Sequence, residues 1–136
     1  DPPSDDEIVA LRDYVKAILR LPFGKGIQSV VGTAGTITTL GSLSIGLRQW
    51  DKKQIHGLRL SRERIGEVVH RLLAKTVSQR SKLPGMEKGR EDIIPQGIIL
   101  LEEIMEYLGA EELMIDANGV RHGILCERLA SLRAKA

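Results

Sequence analysis

The stretch Val30-Val31-Gly32-Thr33-Ala34-Gly35-Thr36-Ile37-Thr38-Thr39-Leu40 decides how the fold is interpreted. A short β-branched run, typical of a strand, stops at a glycine-bracketed turn and continues with helical spacing. Because glycine has no Cβ, Gly32 and Gly35 let the backbone approach a ligand closely. The turn also leaves free N–H groups at a helix start, where an anion is stabilised. With the hydroxyls of Thr33 and Thr36, the stretch has the arrangement of a phosphate or nucleotide cradle.

The turn taken alone leaves two interpretations of equal weight. No Gly-Lys-Ser/Thr follows, so it is not a Walker A loop, and Gly32 and Gly35 do not have the G-x-G-x-x-G spacing of dinucleotide-binding proteins. The other interpretation is a tight strand-to-helix turn that needs glycine only for its geometry.

Length and composition limit the class of protein. The 136 residues correspond to one domain or a piece of one. The chain starts at Asp1 and enters a helix at once, so we expect a piece cut from a longer protein. With 42% hydrophobic but only 3% aromatic residues, the core is expected to be aliphatic. Few aromatics and a net charge of +2, with 20 basic and 18 acidic residues interspersed, argue against nucleic-acid binding.

Cysteine usage and hydropathy exclude further classes. The single cysteine, Cys126, excludes an internal disulfide and a cysteine-rich metal site, and we expect it on an apolar helix face as a small core residue. No apolar run reaches membrane-spanning length and no signal peptide is visible. We therefore expect a soluble, cytoplasmic protein without a membrane partner.

The pattern predicts helices alternating with two strands. In the first half, a helix with a Ser4–Glu7 capping box carries the apolar residues Ile8, Leu11, Val15, Ile18 and Leu19 and is stopped by Leu21-Pro22-Phe23-Gly24. A buried strand, Ile27–Val31, follows, and then a helix with Ile37, Leu40, Leu43 and Leu47 that is closed by residues 48–51. A polar connector runs from Lys52 to Leu60. In the second half, a helix capped by Ser61 carries Ile65, Val68, Val69, Leu72 and Leu73, and a helical turn begins at Ser78. A helix is predicted from Asp92 to Leu108, with Pro95 in its first turn and Gly109 after its end. A strand, Leu113–Ile115, and a last helix with Ile124, Leu125 and Leu129 complete the pattern.

This alternation predicts an α/β fold, helix-rich, with a short parallel sheet. Two strands make an incomplete sheet, so we expect further strands upstream. Ligands of open parallel sheets bind beyond the carboxyl ends of the strands. The first strand ends in Gly32–Thr36 and the second in Asp116–Gly119. If the two strands are neighbours, these loops share one rim.

Four ordered blocks resemble the exopolyphosphatase/guanosine pentaphosphate phosphatase (Ppx/GppA) family, and together they cover nearly the whole chain. They are Val31–Leu40; His56-Gly57-Leu58-Arg59-Leu60-Ser61; Leu83-Pro84-Gly85-Met86 with Gly89-Arg90-Glu91-Asp92-Ile93-Ile94; and Gly119-Val120-Arg121-His122-Gly123. The resemblance implies a ribonuclease-H-like domain of the actin-like superfamily, whose members carry an active site between two such domains. Residues 1–136 would form a partial second domain, without its first strands and without their Asp-x-Gly-Gly-Gly-Ser phosphate loop.

The activity that the resemblance implies is Mg²⁺-dependent hydrolysis of terminal phosphoanhydride bonds in inorganic polyphosphate or in guanosine penta- or tetraphosphate. The catalytic glutamate would lie in the missing upstream domain, so no catalytic residue is assigned here and this piece alone is expected to be inactive. Its partners would be its own N-terminal domain and, as in other members, a second copy in a homodimer.

The candidate phosphate- or nucleotide-binding residues lie in three places: the turn (Gly32, Thr33, Ala34, Gly35 and Thr36), Arg90, and the second strand end with the helix after it (Asp116, Gly119 and Arg121). Arg90 would pair with phosphate or a guanine edge through its planar fork, although a solvated loop charge is the alternative. Asp116 lies at a strand end, with an Asx turn to Asn118 as its alternative. Arg121 serves the cleft or caps a carbonyl.

Other polar residues are given structural interpretations. Asp92 is expected to cap a helix rather than to orient Arg90 or Mg²⁺-bound water. His56, without a carboxylate nearby in sequence, is expected to be structural, and His70 to be solvated. The basic clusters 59–64 and 79–82 would flank a channel for a polyanion or, more commonly, form solvated helix faces.

Two other functions remain open. One is another actin-like ATPase or sugar kinase, which would use the glycine turn for adenosine and against which the His56-Gly57 and Gly89–Asp92 blocks argue. The other is a non-catalytic helical interaction module in which the turn is only structural.

Overall fold

Seven helices and three strands make up residues 1–22 and 26–134, the part of the chain that this computed structural model describes. They are α1 (Asp5–Ile18), β1 (Ser29–Thr33), α2 (Gly35–Ile45), α3 (Lys52–Ile55), β2 (Arg59–Ser61), α4 (Arg62–Leu73), α5 (Val77–Arg80), α6 (Ile94–Leu108), β3 (Glu112–Asp116) and α7 (Gly119–Arg133). The predicted stop signals Phe23 and Gly24 lie outside the described residues.

Side-chain caps begin two helices where the sequence predicts them. Ser4 and Glu7 form a reciprocal capping box at α1, and the Ser61 hydroxyl accepts a hydrogen bond from the Arg64 N–H at α4. At the other end of α6, Gly109 adopts the left-handed conformation (φ 70°) that stops the helix. Gly46 ends α2 in the same way, so Leu47 lies beyond that helix rather than on its face.

The sheet has the strand order β1-β3-β2, with β1 parallel and β2 antiparallel to β3. The predicted parallel pair is therefore confirmed, but the sheet is mixed. The polar connector at 52–60 is wrong in part, because it contains α3 and the start of β2. At three residues, β2 is too short to show alternation, and it is held by backbone pairing with β3, distant in sequence.

Strand β1 lies two residues later than predicted and is not fully buried. It occupies the edge of the three-stranded sheet and its side chains alternate in exposure, so Val31 is 63% exposed. The residues of β1 that lie between these exposed positions face the core. A Cβ on Gly32 would stand 2.9 Å from Leu113 Cδ1 and 3.0 Å from Ile37 Cγ2, so the missing side chain lets α2 pack closely on the sheet.

The core is aliphatic, as predicted, and joins the sheet to α2, α4 and α6. Its fully buried side chains include Leu40, Leu43, Ile65, Leu72, Ile98, Leu113 and Ile115. A Cβ on Gly41 would stand 2.7 Å from Ile115 Cδ1, so α2 approaches β3 through a glycine. Helix α1 is tied to α6 by Arg12, which donates to Glu102 and Glu103 at 2.6 Å each.

The prediction for Cys126 is wrong, because α7 contains no buried residue and this thiol is exposed. Ile124, Leu125 and Leu129, which were expected to face a core, are exposed on the same helix. Among the described residues, no helix is long and apolar enough to cross a membrane.

The basic side chains of the two clusters lie on the surface, as expected of solvated faces, with Arg80 as the exception. Arg59, Arg62 and Arg64 form ion pairs with Glu112, Glu106 and Glu67. Arg80 is only 3% exposed; its Nε donates to the Leu72 carbonyl at 2.8 Å, and Nη2 has no partner in the described part of the chain. Burial lowers the pKa of Arg80.

Candidate functional site

The two predicted loops meet at the carboxyl ends of β1 and β3. Thr33 and Asp116 are register partners, and a Cβ on Gly119 would stand 3.8 Å from Thr33 Oγ1. We call residues 32–36 the phosphate turn, and the phosphate turn together with residues 116–119 the rim. The rim therefore brings together residues that are more than 80 positions apart in the sequence.

The phosphate turn presents an uncapped helix N-terminus. Ala34, the residue before α2, has φ 73°, a left-handed conformation that a non-glycine residue rarely adopts. No side chain caps α2, and its first turn contains no acidic residue. Its first helical hydrogen bond runs from the Thr38 N–H to the Ala34 carbonyl at 3.0 Å. The preceding N–H groups thus lack helical acceptors and suit an anion.

Arg90 lies directly against this helix start. A Cβ built on Gly35 would stand 2.3 Å from Arg90 Nη1 and 2.5 Å from its Cζ. Arg90 Nε is 3.0 Å from Glu87 Oε2, and the same oxygen accepts a hydrogen bond from Thr39 Oγ1 at 3.2 Å. Because Arg90 remains 35% exposed, its cation is accessible as well as held. The site thus pairs a fixed guanidinium with free backbone donors.

Within the phosphate turn, the residues play different parts. Thr33 and Ala34 are exposed on the rim, whereas Gly32 serves the packing of α2 on the sheet. Thr36 contacts α6, because a Cβ on Gly97 would stand 2.7 Å from Thr36 Cγ2. Fewer residues of the turn are thus exposed at the site than the five that the sequence predicted.

Asp116 forms the predicted Asx turn, in which its Oδ1 accepts the Asn118 N–H at 2.8 Å. This hydrogen bond stabilises the carboxylate and lowers the pKa of Asp116. Oδ1 also lies 3.2 Å from His56 Nδ1, and His56 Nδ1 is 3.3 Å from the Ala117 N–H. His56 therefore contacts the rim; its carboxylate partner Asp116 is 60 residues away in the sequence, which is why local sequence did not reveal the contact.

Two other predicted residues are placed elsewhere. Asp92 does not cap α6: the helix begins at Ile94, no side chain caps it, and the Arg90 carbonyl accepts from Ile93 and Ile94 N–H groups instead. Backbone turns after Arg90 thus take the place of the carboxylate. Arg121 is exposed in the first turn of α7, and no hydrogen bond or ion pair of the described residues joins it to the rim.

Local sequence gave no signal for a cavity of about 450 Å³ that adjoins Gly35. Residues from α2, the segment after it and the loop before Arg90 line this cavity: Gly35, Thr38, Thr39, Ser42, Leu47, Arg48, Trp50, Gly85, Met86 and Glu87. Gly85 lets the loop reach α2, since it has φ +92° and its Cβ would stand 2.4 Å from the Ser42 carbonyl.

The expected Mg²⁺ finds no ligand cluster within residues 1–22 and 26–134, where no group of three or more His, Cys, Asp or Glu side chains could hold a metal ion. Two carboxylates beside the candidate site have partners among the described residues: Asp116 accepts from Asn118, and Glu87 contacts Arg90 and Thr39. The donors that the described residues offer at the start of α2 are the backbone N–H groups and the Arg90 guanidinium.

Comparison with known proteins extends the family resemblance. The model of the Ppx/GppA phosphatase family matches residues 1–132. Exopolyphosphatase 2 of Mycobacterium tuberculosis is 32% identical over 133 residues, covering 91% of this chain and 41% of that protein. A bifunctional 3-dehydroquinate synthase/phosphatase of Fusobacterium nucleatum is 29% identical over 126 residues, covering 91% and 19%. The chain thus spans about two fifths, or less, of these relatives.

Solved structures show the same fold. A Ppx/GppA family member from Aquifex aeolicus aligns with a TM-score of 0.85 at 24% identity over 96% of this chain and 43% of that chain. A second study of the Aquifex aeolicus enzyme gives a TM-score of 0.85 at 27% identity, with 92% and 42% covered. The expected ribonuclease-H-like, actin-like α/β class is confirmed, and neither alternative function is favoured. The match of the family model to nearly every residue shows that this chain belongs to the Ppx/GppA phosphatase family.

Proposed function

We propose that this chain forms one wall of the phosphate cleft in an enzyme that hydrolyses the terminal phosphoanhydride bond of inorganic polyphosphate or guanosine pentaphosphate. The observation that carries the proposal is the Arg90 guanidinium lying over Gly35 at the uncapped start of α2. Polyphosphate enters because relatives bear the name exopolyphosphatase, and the guanosine substrate because of the family resemblance.

Hydrolysis of a phosphoanhydride bond requires little covalent chemistry from the residues of this wall. Water attacks the terminal phosphorus, the bond to the bridging oxygen breaks, and that oxygen leaves with the electron pair. Charge then grows on the phosphoryl and leaving oxygens, where backbone N–H groups and a guanidinium stabilise it. We assign these donors to the phosphate turn and Arg90, with Ala34 setting the direction of the turn.

The remaining parts belong to the whole protein. The glutamate that takes the proton from water, and the Mg²⁺ dependence, are expected of the upstream domain and of the substrate complex, so the described residues alone should not turn over substrate. The same proposal includes three further points: the chain has its own N-terminal domain as a partner, the whole protein forms a homodimer, and it is located in the cytoplasm.

Phosphate release by the whole protein tests the proposal. Wild type should release phosphate from inorganic polyphosphate or guanosine pentaphosphate with Mg²⁺. Arg90→Ala should raise KM by roughly 10- to 100-fold, because a hydrogen bond to a charged group contributes about 1.5–3 kcal/mol. Arg20→Ala is the matched control, because the exposed Arg20 guanidinium hydrogen-bonds to the Leu19 carbonyl and, among the described residues, forms no ion pair. Unchanged kinetics in the Arg90 variant would refute the assignment of the site.

A further inference from the structure

A second cavity, of about 430 Å³, lies between α1, the end of α4, α5 and the start of α6. It shares no lining residue with the cavity that adjoins Gly35. Its volume is in the range of small-molecule sites. Apolar side chains from all four helices line it: Ile8, Leu11, Leu73, Val77, Pro95 and Ile99. The cavity therefore suits a ligand with an aliphatic part.

A buried cation, Arg80, lies in the wall of this cavity. Its Nε donates to the Leu72 carbonyl and its Nη1 lies 3.5 Å from the Glu91 carbonyl oxygen, whereas the buried Nη2 has no partner among the described residues. In the same part of the chain, no carboxylate pairs with this guanidinium. A buried charge of this kind is costly, because it has lost its solvation without gaining an opposite charge. A ligand carboxylate, whose geometry matches the guanidinium fork, would compensate it.

Carboxylates of the protein also line the cavity, at Asp1, Glu7 and Asp92. Asp1 Oδ2 accepts from the Val77 N–H at 2.7 Å, and Glu7 Oε2 accepts from the Ser4 N–H at 2.8 Å. The exposed Asp92 side chain makes none of the hydrogen bonds or ion pairs of the described residues. These three carboxylates would repel a simple anion that approaches the buried guanidinium. A ligand that carries a cation beside its carboxylate would instead be attracted by both signs of charge.

We propose that this cavity binds a free α-amino acid with an aliphatic side chain. The ligand carboxylate pairs with Arg80, its ammonium pairs with Asp92, and its side chain packs against the apolar wall. The three parts of the ligand thus correspond to the three kinds of lining residue. The proposal does not depend on the phosphate chemistry at the start of α2, so each can be tested without the other.

Calorimetric titration of the whole protein with three related ligands tests the assignment. Leucine carries all three groups, 4-methylpentanoate lacks the ammonium, and 3-methylbutylamine lacks the carboxylate. We expect leucine to bind with a Kd of about 1 mM or lower, and each of the other two ligands to bind at least about ten-fold more weakly. Absence of saturable leucine binding would overturn the proposal. Binding of 4-methylpentanoate as tight as that of leucine would overturn the amino acid as the ligand.

Substitution of an exposed residue tests whether the ligand lies in the cavity, because a variant of Arg80 would also lose the contact with the Leu72 carbonyl. Val77 is 37% exposed, and Val77→Phe would fill part of the cavity. This variant should weaken leucine binding at least about ten-fold. Val9→Phe is the matched control, at an exposed valine of α1 outside the cavity lining, and should leave the affinity unchanged. Unaltered affinity in Val77→Phe would overturn the cavity as the site.

Asp92→Asn tests the contact with the ammonium. It should weaken leucine binding at least about five-fold, because a hydrogen bond between two charged groups is lost. The affinity for 4-methylpentanoate should stay the same or increase, because that ligand has no ammonium and a repelling charge is removed. Asp13→Asn, at an exposed carboxylate of α1 outside the cavity lining, is the control. Leucine affinity unchanged in Asp92→Asn would overturn the pairing of Asp92 with the ligand.

Discussion

Arg90 occupies the space that a side chain on residue 35 would need: a Cβ on Gly35 would stand 2.3 Å from Arg90 Nη1 and 2.6 Å from Nη2. The two residues are 55 positions apart and meet because the loop before α6 folds over the start of α2. Glu87, at 3.0 Å from Arg90 Nε, keeps the guanidinium there. Glycine at position 35 therefore leaves the space in which the guanidinium lies.

Gly35→Ala and Gly35→Val should separate binding from folding. The clash is with the far end of a flexible side chain, and alanine in a helix is about 1 kcal/mol more favourable than glycine, so the free energy of unfolding of Gly35→Ala should change by less than about 1 kcal/mol. The displaced cation should nevertheless raise KM for phosphate release by about ten-fold. Valine should raise it further. Unchanged KM in both folded variants would contradict the contact between Gly35 and Arg90.

Gly85→Ala tests the close approach of the loop to α2. Its Cβ would stand 2.4 Å from the Ser42 carbonyl carbon and oxygen, which are backbone atoms that cannot swing away, and its φ of +92° is strained for alanine. We expect a loss of at least about 2 kcal/mol in the free energy of unfolding, measured by urea denaturation.

Gly89→Ala is the matched control for that experiment. Gly89 has φ +82°, but no heavy atom of the described residues lies within 4 Å of its Cβ position. The free energy of unfolding of Gly89→Ala should fall only by the cost of the backbone strain, about 1 kcal/mol. Equal losses at both positions would show that strain alone matters and that the loop does not press on α2.

Local signals in the sequence accounted for much of the fold. Caps and glycine stops are local, so the ends of α1, α4 and α6 followed from Ser4, Ser61 and Gly109. Strand β2 did not, because three residues carry too little periodicity and their pairing with β3 is non-local. The prediction for Cys126 was wrong for another reason. Helical spacing shows which face of a helix is apolar, but it does not show whether another element covers that face.

For the candidate site, the sequence located the strand-to-helix turn at residues 32–36, because a β-branched run followed by glycine leaves a local pattern. That β1 and β3 are neighbours was only a condition at that point, since strand pairing joins residues distant in sequence. The contacts of Arg90 with Gly35 and of His56 with Asp116 could not, since they join side chains 55 and 60 residues apart. The cavity with Trp50 also depends on how loops fold together, for which a single sequence holds no local signal.

Asp116 should make the rim sensitive to acid. The Asn118 N–H lowers the pKa of Asp116 in the folded protein, so the turn is fully stabilised above the ordinary aspartate pKa of about 3.9 and loses this contribution as the pH falls through the lower folded value. The amide shift of Asn118, followed by NMR from pH 7 downward, should therefore titrate with a midpoint below about 3.9. Asp116→Asn should abolish this titration. A midpoint at or above the ordinary value would contradict the hydrogen bond.

Arg12→Met should loosen the attachment of α1 to α6. Arg12 Nη1 donates to Glu103 at 2.6 Å, and Glu103 is 5% exposed, so methionine would leave a buried carboxylate whose one remaining cation among the described residues is Lys16, at 3.7 Å. Breaking a buried pair costs about 3–5 kcal/mol, and because Arg12 is itself partly exposed we expect a smaller loss, about 2 kcal/mol in the free energy of unfolding. Arg59→Met breaks the exposed pair with Glu112 and should cost less than about 1 kcal/mol. Urea midpoints of the two variants check the difference. Equal midpoints would mean that burial of Glu103 does not strengthen its need for Arg12, and that α1 is held by its apolar contacts alone.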